Sequence, residues 1–223
     1  MVIKAVFFDF DGTISDAKKI ARDSMIQTLD EFGYDYDRKK LVKLLGIRTH
    51  LILKGLGLKF GGRSSVVGGR GLEAVRNKFY KYFTRAAVEG GIKPCVSLKP
   101  LWELGKDVPL IVISNARTSY LRASIRRLKI EGLFKGVYGE EKFESKDGMM
   151  NKLFKKMKVD AGDVVYVGDR FSDIDFARKA GCIAVAIHNK CSWSTLREIR
   201  REKPDYIVRN FYGLRRLIRA FNV

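Results

Sequence analysis

Two histidines, His50 and His188, and three cysteines, Cys95, Cys182 and Cys191, are the only imidazole and thiol groups in 223 residues. No Cys-x-x-Cys pair occurs among them, so a zinc cluster has no donor set, and an odd, widely spaced set of thiols gives no disulfide framework. Reduced, buried thiols are expected. A Cys-His nucleophile has little support. No apolar run approaches the roughly 20 residues that a membrane helix needs. The N-terminus also lacks a basic segment followed by a long apolar one. These absences exclude a membrane protein and lead to the expectation of a soluble, cytoplasmic one. Internal repeats are missing too.

Acidic residues are in short supply, with 25 Asp and Glu against 44 Lys and Arg, a formal charge of +19. Such a surface attracts anions: nucleic acid, acidic proteins or phosphorylated metabolites. The positive charges are spread along the chain, with no basic tail or Arg-Gly repeat to concentrate them. A solvated basic surface therefore accounts for them as well as a nucleic-acid partner does.

The length allows one sizeable core plus an accessory unit, and the 46% hydrophobic content suits a packed globular protein. Short apolar runs, β-branched or aromatic, recur at Ile3 to Phe8, Val108 to Ser114, Gly136 to Tyr138, Val164 to Gly168, Cys182 to Ile187 and Tyr206 to Val208. Helical spacing fills the gaps at Ser119 to Leu128, Gly148 to Met157, Asp173 to Ala180 and Phe211 to Phe221. This alternation predicts an α/β fold, a Rossmann-like parallel sheet with helices on both faces. In the last helix Phe211, Leu214, Leu217, Ile218 and Phe221 share a stripe for docking on the sheet, which leaves Arg215, Arg216 and Arg219 on solvated faces.

Residues 16–92 break the alternation. Asp16 to Phe32, Arg38 to Leu45 and Leu72 to Ala87 read as helices with no convincing strand between them. The expectation is a catalytic core of residues 1–15 and 93–223 carrying an inserted helical cap over the strand ends, where open α/β sheets bind ligands. Gly55 to Gly71 holds seven glycines with Arg63 and Arg70, too flexible a composition for a regular element, and reads as a surface loop or a cationic lid.

Asp9-Phe10-Asp11-Gly12-Thr13 directly follows the first apolar run. In extended backbone, residues two apart project from one face, so a buried strand delivers both carboxylates to one spot, and Gly12 lets the chain turn away. Like charges this close call for a cation between them or a retained proton. Ser114-Asn115 and Gly168-Asp169-Arg170-Phe171-Ser172-Asp173 also end predicted parallel strands, so all three motifs converge at one sheet edge. Asp9, Asp11, Asp169 and Asp173 together make a hard-oxygen site suited to Mg²⁺. Ser114 and Asn115 suit phosphoryl oxygens at a helix N-terminus, or a helix cap.

The order of these motifs, with Lys146 between the second and third, resembles the haloacid dehalogenase superfamily over essentially the whole chain, and its phosphoglycolate phosphatase branch in particular. The resemblance implies a Mg²⁺-dependent phosphatase of a small phosphorylated metabolite, acting through an aspartyl-phosphate on Asp9. Asp11 would be its general acid and base, and Lys146 would neutralise the transferred phosphoryl group, with Lys142 and Lys152 as neighbours that could be confused with it. Asp169 and Asp173 would serve the metal, and Ser114 and Asn115 the phosphate. Asp11 fits a phosphatase or phosphomutase better than an ion pump or dehalogenase. Arg170 departs from the family pattern, which often has a small hydroxyl residue there. His50 and Arg48 fall where relatives choose substrates. Two alternatives stay open: a phosphomutase acting on a sugar phosphate, with His50 as an added acid-base group, and a basic nucleic-acid-binding protein on a phosphatase scaffold.

Overall fold

The computed structural model of the chain describes residues 2–58 and 69–222. The chain opens with β1 (Ala5–Phe8) and a two-residue β2 (Ser15–Asp16), then runs through α1 (Lys18–Glu31), α2 (Arg38–Leu44), α3 (Thr49–Gly55) and α4 (Gly69–Ala86) to a short β3 (Lys93–Pro94). Strict alternation follows: α5 (Lys99–Asp107), β4 (Leu110–Ile113), α6 (Thr118–Arg127), β5 (Gly136–Tyr138), α7 (Lys146–Met157) and β6 (Val164–Gly168). The chain closes with α8 (Phe171–Ala180), β7 (Ile183–Ile187), α9 (Leu196–Arg201), β8 (Tyr206–Val208) and α10 (Phe211–Phe221).

Six strands form one parallel sheet in the order β5-β4-β1-β6-β7-β8, the expected α/β architecture. Every residue of β1, β4 and β6 is buried, which is why these strands read as unbroken apolar runs: helices cover both faces of a parallel sheet. Alternate side chains of β1 serve different layers. Val6 and Phe8 join Leu101, Leu104, Phe211, Leu214 and Ile218 on one face, while Ala5 and Phe7 join Met150, Leu153, Phe154 and Ile174 on the other. Phe8 meets two aromatic rings edge-on, Phe211 at 6.1 Å and Phe134 at 6.4 Å between centroids.

The register sets Val6 of β1 opposite Leu110 of β4 and Val165 of β6. With β1 between these two neighbours, the loops leaving β1, β4 and β6 open at one edge, at the point where the chain winds outward in both directions.

Several elements differ from the sequence reading. No strand was expected around residues 16–92, yet Ser15–Asp16 pairs antiparallel with Lys93–Pro94 and frames the helical segment on both sides; two residues are too few to show a period. Helices α3, α5 and α9, six to nine residues long, were not anticipated. Residues 59–68 of the glycine-rich stretch lie outside the described residues, and Gly69 to Gly71 belong to α4. Arg215 of α10 is not fully solvated, since it pairs with Glu103 of α5 at 2.7 Å.

Along α1 to α4 the buried residues include Met25, Leu29, Leu41, Leu53, Val75, Phe79 and Phe83. Phe83 of α4 stacks on Tyr120 of α6, with centroids 3.9 Å apart and planes 14° from parallel. No helix among the described residues is long and apolar enough to cross a membrane.

Phe8 is fully buried between two layers and two rings, so Phe8→Ala removes packing that no neighbour can replace. A loss of about 3–5 kcal/mol is expected, read as a lower urea midpoint at unchanged slope; a loss under about 1 kcal/mol would show that the face repacks.

Candidate active site

Asp9 follows β1 directly, its amide donating to the Val167 carbonyl of β6 at 2.9 Å, so the sheet ladder itself fixes where this carboxylate starts. Lys146 opens α7, where Ser145 caps the helix by accepting from the Gly148 amide. A cation at a helix N-terminus opposes the helix dipole, and two carboxylates compensate: the Lys146 Nζ lies 2.9 Å from Asp9 Oδ1 and 2.7 Å from Asp173 Oδ1. All three side chains are buried. Burial opposes the charge on Lys146, but Asp173 and Asp9 outweigh it and raise its pKa above the ordinary lysine value.

Asp173 stands in the first turn of α8, where its Oδ2 accepts from the Arg170 amide at 3.1 Å. The Tyr166 hydroxyl donates to its Oδ1 at 3.3 Å. Gly168 makes this approach possible, because a Cβ there would lie 2.4 Å from the Asp173 side chain. Asp169 follows Gly168 with both oxygens held: Oδ1 accepts from the Thr13 hydroxyl at 3.0 Å and Oδ2 from the Trp193 amide at 2.6 Å. Gly12 has a φ of +92°, and a Cβ there would come within 2.5 Å of both Asp169 Oδ2 and Trp193. The turn after Asp11 thus needs glycine for backbone shape and for space.

Carboxylate oxygens of Asp9, Asp169 and Asp173 lie within 4.8 Å of one another, all buried. Three carboxylates against the single ammonium of Lys146 leave an excess of negative charge. Burial, then repulsion from Asp173 and Asp9, pushes Asp169 well above the usual carboxylate range. Asp9 is raised chiefly by burial, against the pull of Lys146 and with the push of Asp173. A hard-oxygen donor set lacking positive charge fits a divalent cation.

Asp11 stands apart from this trio. Its Oδ1 accepts from the Ser15 hydroxyl at 2.6 Å and the Tyr120 hydroxyl at 2.9 Å, and its backbone carbonyl accepts from the Trp193 indole at 2.9 Å. Burial pushes its carboxyl up to about 7, with the Ser15 hydrogen bond opposing and the charge of Asp9 adding.

Asp9 and Asp11 line a cavity together with Ser114 and Asn115. Neither of the latter pair caps α6, which begins at Thr118 behind Arg117; the Ser114 hydroxyl accepts from the Ala116 amide at 3.4 Å. The remaining wall comes largely from the helical segment, including Leu45, Ile47, Thr49, Ile52, Phe79, Tyr80 and Phe83, and from Trp193.

Of the other sequence candidates, Arg48 donates to the Phe143 carbonyl at 2.8 Å and lies over that ring, away from the cavity lining. His50 is half-buried on α3 and does not line the cavity either. Arg170 is buried, donates to the Leu45 carbonyl at 2.9 Å and faces the Trp193 ring. Lys142 and Lys152 are exposed, which separates them from Lys146.

Sequence reasoning missed Trp193, Tyr120 and the Phe79-Tyr80-Phe83 group. The aromatics of α4 recur at helical spacing and read as core. Trp193 sits in an irregular loop with no motif around it, and only the folded chain shows that it touches two site aspartates.

Residues 6–187 match the family model of haloacid dehalogenase-like hydrolases. A phosphoglycolate phosphatase from Synechococcus elongatus is 26% identical, covering 83% of this chain and 84% of its own. A glyceraldehyde 3-phosphate phosphatase from Pyrococcus abyssi is 29% identical, covering 81% and 79%. Among solved structures, that titled a predicted phosphatase from Clostridium acetobutylicum superposes with a TM-score of 0.81 at 18% identity, covering 99% of this chain and 100% of that one. With a matching family model over most of its length and a buried trio of aspartates at the sheet edge, the chain belongs to the haloacid dehalogenase-like hydrolase family.

Proposed function

We propose that the protein is a Mg²⁺-dependent, cytoplasmic phosphatase that hydrolyses a small phosphorylated metabolite through an aspartyl-phosphate on Asp9, with residues 16–92 acting as a cap on the core of residues 1–15 and 93–223. One observation carries the reading. Asp9, at the end of the central strand, is ion-paired to a buried lysine and lines the same cavity as a second carboxylate, Asp11, whose pKa lies near neutrality.

Asp9 Oδ attacks phosphorus, the ester oxygen leaves, and the phosphoryl group becomes bonded to Asp9. Lys146 holds the attacking carboxylate in place and offsets the negative charge that the phosphoryl group brings. Asp11, held by Ser15 and Tyr120, gives its proton to the leaving oxygen and takes one from the water that cleaves the acyl phosphate; a carboxyl near 7 can do both at neutral pH. The Ser114 hydroxyl and the Asn115 amide donate to phosphoryl oxygens. Asp9, Asp169 and Asp173 would hold the Mg²⁺, which when bound screens the anionic substrate from the anionic nucleophile. The phosphomutase and nucleic-acid alternatives draw no specific support: His50 does not line the cavity, and the charge remains a property of the whole surface.

Asp9→Asn keeps the shape and loses the nucleophile. Phosphate release from a phosphomonoester with Mg²⁺ should fall by about 10³-fold or more with an unchanged circular dichroism spectrum; full turnover in that variant would refute the mechanism.

Magnesium should also stabilise the protein in a pH-dependent way. Because Asp9 and Asp169 have raised pKa values in the fold, their contribution to stability is full below the ordinary carboxylate range, near pH 4, and is lost as pH rises through the raised values. Cation binding needs the deprotonated forms, so the gain in Tm from Mg²⁺ should grow as pH rises above the ordinary carboxylate range, near pH 4. It should reach several degrees at roughly 100 times Kd. Asp169→Asn should raise the Tm measured in a chelator and abolish the Mg²⁺ increment, and an increment that stays flat with pH would count against the trio as the cation site.

A further inference from the structure

The residues that shape the cavity on the side of the helical segment carry a specific electrostatic character. Leu45, Ile47, Ile52, Phe79 and Phe83 present hydrocarbon, and Thr49 adds a hydroxyl. Among the described residues, the charged groups lining the cavity are Asp9 and Asp11, and no lysine, arginine or histidine lines it.

Cations do stand nearby, but behind the lining of the cavity rather than in it. Arg76 pairs with Glu73 at 2.7 Å and Glu140 at 2.9 Å. Arg117 pairs with Glu73 and bonds to Asn77. Arg48 and Arg170 donate to the backbone carbonyls of Phe143 and Leu45. Lys146 lies between Asp9 and Asp173, at the phosphoryl end.

A phosphate monoester placed with phosphorus at Asp9 directs its leaving group along this wall. An uncharged leaving group loses little on entering it. A leaving group bearing a carboxylate or second phosphate would give up its hydration for hydrocarbon and the nearby Asp11, with no cation among the described residues that line the cavity to compensate, and an unpaired buried ion is strongly unfavourable. We infer that this site selects phosphate monoesters whose leaving group carries no second ionised group, the selectivity being set by the uncharged wall of Leu45, Ile47, Ile52, Phe79 and Phe83.

The inference rests on the phosphatase reading, and matched pairs of esters separate the two. Glyceraldehyde 3-phosphate and 3-phosphoglycerate differ by an aldehyde in place of a carboxylate. The pair 2-hydroxyethyl phosphate and 2-phosphoglycolate differs by an alcohol in place of a carboxylate. Steady-state phosphate release by the full chain with Mg²⁺ should give a kcat/KM at least about tenfold higher for the uncharged member of each pair. Equal values, or a preference for the carboxylates, would overturn the inference while leaving the phosphatase standing. Absence of Mg²⁺-dependent release from all four esters by folded protein would overturn the phosphatase reading and the inference with it. Ile47→Arg, which adds a cation to the half-buried rim, should narrow the ratio in both pairs; a folded variant with an unchanged ratio would show that wall charge does not set the preference.

Discussion

The Lys146 ammonium, buried between Asp9 and Asp173, is the interaction on which the site depends. Isolated in a dry interior each of these charges would be untenable, and removal of any one would strand the others. The contact also ties together three distant parts of the chain: the end of β1, the first turn of α7 and the first turn of α8. The lysine thus sets the spacing of the sheet edge where the candidate site lies, while leaving the acidic trio short of positive charge. That shortfall separates this cluster from a purely structural ion pair, since a balanced pair would have no use for a cation.

The parallel sheet makes this gathering possible. Parallel strands all end at one edge, so residues far apart in sequence arrive together without long loops, and the central place of β1 puts Asp9 between the ends of β4 and β6. Two glycines then tighten the geometry. Gly12 lets the chain turn beneath Asp169 and Trp193, and Gly168 lets Asp173 lean back over the strand end. In both places a methyl group would occupy the position of a site atom, so backbone shape and active-site spacing form one constraint.

Much of this was legible in the sequence for physical reasons. A strand buried on both faces must be apolar throughout, and an acidic pair directly behind it stands out against that background; Asp9, Asp11, Asp169 and Asp173 were visible this way. Lys146 was visible only through the family resemblance, since an isolated lysine in a chain with 44 basic residues carries no signal of its own. The two-residue ribbon of β2 and β3 falls below the length at which a period can be read. The hydroxyl partners of Asp11 were not legible: the fold sets its carboxylate against Ser15 and Tyr120, which no sequence motif joins to it.

The setting of Asp11 also gives the helical segment a chemical consequence. Phe83 of α4 covers the ring of Tyr120, and the Tyr120 hydroxyl donates to Asp11. Burial is the largest cause of the raised Asp11 pKa, and hydrogen bonding to the carboxylate works against it. The two influences come from the same contact region, since α4 helps exclude water while Tyr120 supplies a donor. A carboxyl in open water would stay ionised at neutral pH and have no proton to give, and one buried without donors would keep its proton too tightly to take part in the second half of a hydrolysis. Packing Phe83 against Tyr120 sets the surroundings of Asp11, so the helices between β2 and β3 bear on the proposed acid as well as on the cavity that it lines.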